Sequence, residues 1–184
     1  MNILEQLKVD KNWTLFLDRD GVINLHFPKD YVKTWNEFFF LEGAIDAIKQ
    51  LTKQFGKIVV VTNQQGVGKG KMTEETLQNI HTNMMVEIEA AGGRIDSIYA
   101  ATSLESKDEF GLRKPKIGMA MQAQEDFPEI DFAKSVIVGD SITDMQFGRN
   151  AGMYTVFVSD KEDSDIVESL LVDFKINKLA DLVN

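Results

Sequence analysis

This 184-residue sequence predicts an α/β fold with a mainly parallel central sheet, and three observations carry that prediction. Short unbroken apolar runs recur along the chain, and most stop at a polar residue or glycine, as strands buried on both faces do. Segments of helical period lie between them, so strands and helices alternate. No internal repeat, low-complexity tract or linker interrupts the pattern, and one domain over residues 1–184 is expected.

Taken in order, the first run, Trp13 to Leu17, stops at Asp18. Lys57 to Val61 stops at Thr62, and Ser97 to Ala101 is a weaker third run. Ser135 to Val138 stops at Gly139-Asp140, and Thr155 to Val158 stops at Ser159. Between them, Ala44, Ile45, Ile48, Leu51 and Phe55 keep helical spacing up to Gly56. Thr73 is placed to cap a second helix, with Glu74 and Glu75 in its first turn and Leu77, Ile80, Met84, Ile88 and Ala91 as its apolar face. A third helix is expected from about Ile117 to Phe127, and Ser164-Asp165 reads as the start of another.

Bulk properties exclude several classes of function. The chain has no cysteine, which removes disulfides, thiolate zinc sites and a cysteine nucleophile. Its net charge of −9 and pI near 4.7 argue against a dedicated nucleic-acid or membrane-surface binder. No apolar run approaches the roughly 18 residues of a membrane helix, and the N-terminus lacks a basic-then-apolar leader pattern. A cytoplasmic address is the default expectation.

In open α/β sheets, ligands bind beyond the carboxyl ends of the strands. That rule singles out Asp18, Asp20, Thr62, Asn63, Asp140 and Asp144. In Asp18-Arg19-Asp20-Gly21-Val22-Ile23-Asn24, two carboxylates two residues apart make sense beside a divalent cation. One can attack phosphorus, while the other protonates a leaving alkoxide and then activates water. A strand-ending turn is the plainer alternative for that segment alone. Thr62-Asn63 offers a hydroxyl and N–H groups for phosphate oxygens, though threonine in strands and asparagine in turns are common. Arg113-Lys114-Pro115-Lys116 supplies cations for a transferring phosphoryl group, or is an exposed basic turn. Gly139-Asp140, followed by Asp144, offers oxygen ligands for Mg²⁺, or is a capped helix start.

Taken together and in this order, the four elements resemble the haloacid dehalogenase (HAD) superfamily, whose motifs read D-x-D, S/T, K and GD-x-x-x-D. The resemblance runs from about Thr14 to Ser159. It implies a Rossmann-like three-layer sandwich with strand order 5-4-1-2-3 and an aspartyl-phosphate phosphatase. By that likeness Asp18 is nucleophile and metal ligand, and Asp20 is acid/base with its carbonyl on the metal. Thr62, the Asn63 backbone and Lys114 bind phosphate, Asp140 completes the Mg²⁺ site, and Asp144 orients Lys114 or a metal-bound water.

Only about 20 residues separate Asp20 from the next helix, and about a dozen separate Ala101 from Lys114. No separate cap domain fits either interval. The wording D-R-D-G-V-I-N, T-N-Q-x-G, R-K-P-K-x-G-M and G-D-x-x-x-D-M is similar to the branch acting on heptose 1,7-bisphosphate and histidinol phosphate. A small phosphorylated metabolite is the implied partner, with the heptose bisphosphate ahead of histidinol phosphate. Arg113 is then a candidate contact to substrate or phosphate. That branch usually carries a Cys/His zinc loop before R-K-P, but Ala101 to Leu112 holds neither residue type, so no zinc is expected.

Other readings rank lower. Gly66 to Met72 follows a strand but is one residue short of a Walker loop and ends on Met72, with no hydroxyl for Mg²⁺. It reads better as a loop at the mouth of the site, where Lys69 or Lys71 attracts anionic substrate. A phospho-acceptor signalling domain would have little use for Asp20. A 3′-phosphatase acting on DNA ends fits poorly with the overall acidity. His26 reads as an exposed loop residue, His81 as structural or surface, and Phe38-Phe39-Phe40 as packing under the flap.

Overall fold

The computed structural model describes residues 2–108, 111–160 and 170–184. The helix expected from Ser164-Asp165 lies outside these residues. Six strands form the sheet: β1 (Thr14–Leu17), β2 (Lys57–Asn63), β3 (Ser97–Ala101), β4 (Ser135–Gly139), β5 (Tyr154–Val158) and β6 (Phe174–Ile176). Their order is β3-β2-β1-β4-β5-β6 and every pairing is parallel. The expected 5-4-1-2-3 order is present, extended at one edge by β6. That three-residue strand is too short to carry a periodic signal.

Alternation along the strands explains the three layers, because successive side chains leave opposite faces of a sheet. Leu15, Leu17, Ile58, Val60, Val136 and Val138 face one side. There they meet Leu4 of α1 (Ile3–Leu7), Ile48 and Leu51 of α2 (Ala44–Gln54), and Ile80, Met84 and Ile88 of α3 (Glu74–Ala90). Phe16, Val59, Val61 and Ile137 face the other side. They pack on Met119, Ala120 and Ala123 of α4 (Gly118–Asp126) and Phe147 of α5 (Ile142–Ala151). Both sides are dry, so the strands read as unbroken apolar runs rather than as alternating ones.

The helix boundaries follow local chemistry. Thr73 accepts the Thr76 N–H at 3.1 Å as the cap of α3. Ser141 caps α5, and Asp144 closes the box by accepting the Ser141 N–H at 3.1 Å. Of the two readings of Gly139 to Asp144, the capped helix start is thus present, with Ser141 rather than Asp140 as the cap.

From β1 the chain moves outward to β2 and β3, then returns to place β4 on the opposite side of β1. The loops after β1 and β4 part at this reversal, which opens a crevice at the strand ends. Residues 22–43 make a short flap over it, joined by Leu25 N–H to Phe39 O and Leu41 N–H to Ile23 O, both at 2.9 Å. Trp35 stacks on Phe38 at 4.9 Å between ring centroids, and Phe38 packs edge-on to Phe40 at 5.0 Å. Phe38 and Phe40 therefore pack as expected, whereas Phe39, pointing the other way along an extended segment, is exposed. Among the described residues, no helix is long and apolar enough to cross a membrane.

Candidate active site

β1 delivers Asp18 to the floor of the crevice, β4 delivers Asp140, and the loop before α4 delivers Lys114. Asp18, Asp20, Thr62, Asn63, Lys114 and Asp140 line one cavity, together with His26, Tyr31, Ser141 and Thr143. Six of the sequence-predicted residues are thus brought together although they span more than a hundred positions.

At the centre is an ion triad. The Lys114 ammonium lies 2.9 Å from Asp18 Oδ1 and 2.6 Å from Asp144 Oδ1, and donates to the Val61 carbonyl at 2.8 Å. Lys114 and Asp144 are almost wholly buried. Burial works against the lysine's charge, but Asp144 and Asp18 outweigh it and hold its proton above the ordinary lysine range. Asp144, placed to orient Lys114, does so from beneath the cavity.

One carboxylate oxygen from each of Asp18, Asp140 and Asp144 falls within a 4.8 Å cluster. Burial and the neighbouring Asp144 charge push the Asp18 carboxyl well above the usual range, against the pull of Lys114. Burial and Asp144 also raise Asp140 to about 6, although His26 and Lys114 oppose them. Hard oxygen donors crowded so that Asp18 and Asp140 hold their protons more tightly than usual fit a small divalent cation such as Mg²⁺. The backbone is shaped to the same end. Gly21 has φ +84° and lies so close to the Asp140 carboxylate that a Cβ there would overlap it. A Cβ on Gly139 would likewise collide with Asp144.

Asp20 does not join that cluster with its side chain. Its carboxylate takes Arg19 Nη2 at 3.0 Å on both oxygens, Asn24 Nδ2 at 2.9 Å and Gln64 Nε2 at 2.7 Å. Burial raises its pKa, but Arg19 and the hydrogen bonds from Asn24, Arg19 and Gln64 prevail and hold it below the ordinary value. The Asp20 side chain is thus committed to these three partners.

Asn63 does more than its backbone was asked to do. Its side chain accepts the Lys114 N–H at 3.0 Å and donates to the Lys114 carbonyl at 3.2 Å, locking that loop to the end of β2. Thr62 is fully buried and accepts from Gln64 Nε2 at 2.8 Å. His26 is half-exposed, yet its Nδ1 lies 3.4 Å from Asp140 Oδ2, so it belongs to the cavity wall rather than to open solvent.

Arg113 is not part of the cavity lining; its backbone N–H is accepted by Asp108 at 3.1 Å, as is that of Leu112 at 2.8 Å. Sequence reasoning missed Arg19, Asn24 and Gln64 as partners of Asp20. Their signal lay in the quoted D-R-D-G-V-I-N and T-N-Q wording.

A carboxylate at the end of the first strand, a lysine between two aspartates and an acidic cluster fit for a cation define a phosphatase of the HAD superfamily. The family model described as polynucleotide kinase 3 phosphatase matches residues 14–176, and the chain belongs to that family. The chain is 39% identical over 138 residues to D-glycero-alpha-D-manno-heptose-1,7-bisphosphate 7-phosphatase of Mycobacterium tuberculosis (strain ATCC 25618 / H37Rv), covering 75% of this chain and 72% of that one. It is 36% identical over 176 residues to D-glycero-beta-D-manno-heptose-1,7-bisphosphate 7-phosphatase of Escherichia coli (strain K12), covering 91% and 90%. The crystal structure of D,D-heptose 1.7-bisphosphate phosphatase from B. bronchiseptica, complexed with magnesium and phosphate, superposes with a TM-score of 0.83 at 29% identity. That match covers 93% of this chain and 96% of the other.

Proposed function

We propose that this phosphatase hydrolyses one phosphate ester of a heptose 1,7-bisphosphate through a phosphorylated Asp18, with Mg²⁺ held by Asp18, Asp140 and the Asp20 carbonyl. The observation that carries the mechanism is the buried Lys114, fixed between Asp18 and Asp144 at the base of an open cavity. A bound Mg²⁺ supplies charge neutralisation for the incoming phosphate. Asp18 attacks phosphorus while Lys114 offsets the charge on the transferring group. Thr62 and the Asn63 backbone hold the phosphate oxygens. Asp20 passes a proton to the leaving alkoxide and then takes one from the water that cleaves the aspartyl ester. The ionised form that Arg19, Asn24 and Gln64 favour suits this second half.

Two observations support a bisphosphate. The relatives carry that substrate in their names. Beside the catalytic cavity, and sharing His26, Asp30 and Tyr31 with it, lies a hollow bordered by Lys29, Lys69 and Lys71. Asp30 is engaged by Lys33 at 2.6 Å and felt at longer range by Lys71, and among the described residues none of the three bordering lysines forms a salt bridge. In a chain of net charge −9 such a wall suits a second phosphate group. No step of this reaction calls on zinc, and Asp108 accepts the N–H groups of Leu112 and Arg113 ahead of Lys114.

The test is phosphate release with Mg²⁺ from both anomers of the heptose bisphosphate, histidinol phosphate, other sugar phosphates and a 3′-phosphorylated oligonucleotide. Asp18→Asn is the control for contaminating activity. Preference for a heptose bisphosphate, abolished in Asp18→Asn, supports the proposal. Preference for the oligonucleotide refutes the substrate, and release that survives Asp18→Asn refutes the mechanism.

A further inference from the structure

Behind Asp20 lies a buried pair that the proposed reaction does not use directly. Arg19 has no exposed surface, and a guanidinium removed from water costs less where its charge and N–H groups find partners; both Nη atoms do so here, while Nε does not. Nη2 meets Asp20, as described above. Nη1 lies 3.1 Å from Nε2 of His81, which is itself largely buried on α3. The guanidinium carbon sits 6.0 Å from the centre of the Phe38 ring.

Arginine has no acceptor atom, so Nε2 of His81 must accept and the ring proton must lie on Nδ1. Burial and the Arg19 charge keep His81 neutral, lowering its pKa to about 3. The place of the ring is set by the core. Ile80 and Met84, on either side of His81 along α3, are fully buried against the sheet. A rigid helix thereby holds one end of a guanidinium whose other end holds the reactive carboxylate.

We infer that His81 is a positioning residue for the phosphatase reaction, acting through Arg19 to fix the Asp20 carboxylate where a proton must be delivered and removed. This rests on the acid/base role proposed for Asp20. It predicts a defect that depends on the leaving group, which a loss of general packing would not produce.

The experiment compares His81→Leu, His81→Gln and Asp20→Asn with the native chain on a heptose bisphosphate and on p-nitrophenyl phosphate. Steady-state constants are read on the first ester and the burst of phenolate on the second. A sugar alkoxide needs a proton to leave, whereas p-nitrophenolate does not. In His81→Leu, kcat on the sugar ester should fall about tenfold, a part of the roughly 10²–10⁴ that general acid–base catalysis supplies, with KM within about twofold. The phenolate burst rate should stay within about twofold. His81→Gln, whose Oε1 can accept from Nη1, should recover most of the loss. His81→Ala takes the place of His81→Leu if the latter does not fold.

Equal losses on both esters, or no recovery in His81→Gln, overturn the inference. If Asp20→Asn separates the two esters and His81→Leu does not, only the role of His81 falls. If Asp20→Asn fails to separate them, the acid/base reading falls and takes this inference with it.

Discussion

Replacing Lys114 by methionine removes the ammonium that lies between Asp18 and Asp144 while keeping most of the side chain's volume. Lys114 sits 2.9 Å from Asp18 and 2.6 Å from Asp144, and both ends of this contact are shielded from water. Removing one partner of a buried ion pair costs about 3–5 kcal/mol, because the other charge is left uncompensated. For a chain of this length that corresponds to a drop in Tm of roughly 6–20 °C. The deficit should depend on pH with a definite sign. Carboxyls whose folded pKa lies above the unfolded value bind more protons when folded, so stability falls as pH rises through the folded value. Asp140 is already raised to about 6, and Asp18 is raised well above the usual range, even with the lysine present. Thermal unfolding of Lys114→Met without Mg²⁺ should therefore show its largest deficit near pH 8 and a smaller one near pH 5. Phosphate release should fall by at least about 10², the scale set by a lost charge-stabilising group. A variant with native Tm at both pH values would refute the uncompensated charge, and with it the assignment of Lys114 as the counter-ion of the site.

Three further outcomes follow from the same geometry. Mg²⁺ must displace a proton from Asp140 below about pH 6, so its Kd should weaken about tenfold per unit below that point. The rise in Tm on adding Mg²⁺ should accordingly be larger at pH 7.5 than at pH 5, and equal rises would contradict the Asp140 site. Gly21→Ala forces a side chain into positive φ and against the Asp140 carboxylate, so it should cost about 1–3 kcal/mol and weaken Mg²⁺ binding by calorimetry. Lys69→Gln combined with Lys71→Gln should remove about 1–2 kcal/mol of attraction for a second phosphate, raising KM roughly 5–30-fold for the bisphosphate but not for a monophosphate. Equal changes for both substrates would count against the lysine wall.

The fold was legible because its strands are buried on both faces, and five continuous apolar runs are hard to mistake in chain order. β6 was not, since Phe174–Ile176 offers only three residues and one buried side chain. The residues converging on the cavity were legible for a topological reason: each ends a strand or opens a loop at the same edge of a parallel sheet. What sequence could not give was direction. Arg113 and Lys114 are adjacent, yet Lys114 is buried against Asp18 whereas Arg113 does not line the cavity and gives its backbone N–H to a loop aspartate. His81 lay on the buried face of a helix, where a histidine reads as packing until the opposing arginine is seen. Its partner Arg19 was concealed by the rule that arginines stay at the surface.

The double hydrogen bond between the Asn63 amide and the Lys114 backbone has a consequence for how this enzyme can change over time. It ties the Lys114 backbone to the end of β2, next to the strand that leads to Asp18, in addition to the bonds by which Asp108 holds Leu112 and Arg113. Changes of length or sequence in the loop upstream of Asp108 can then alter the rim of the crevice without displacing the ammonium group. Selectivity and chemistry become separately heritable, and a chain that carries neither cysteine nor histidine in that loop retains the same buried triad as its foundation.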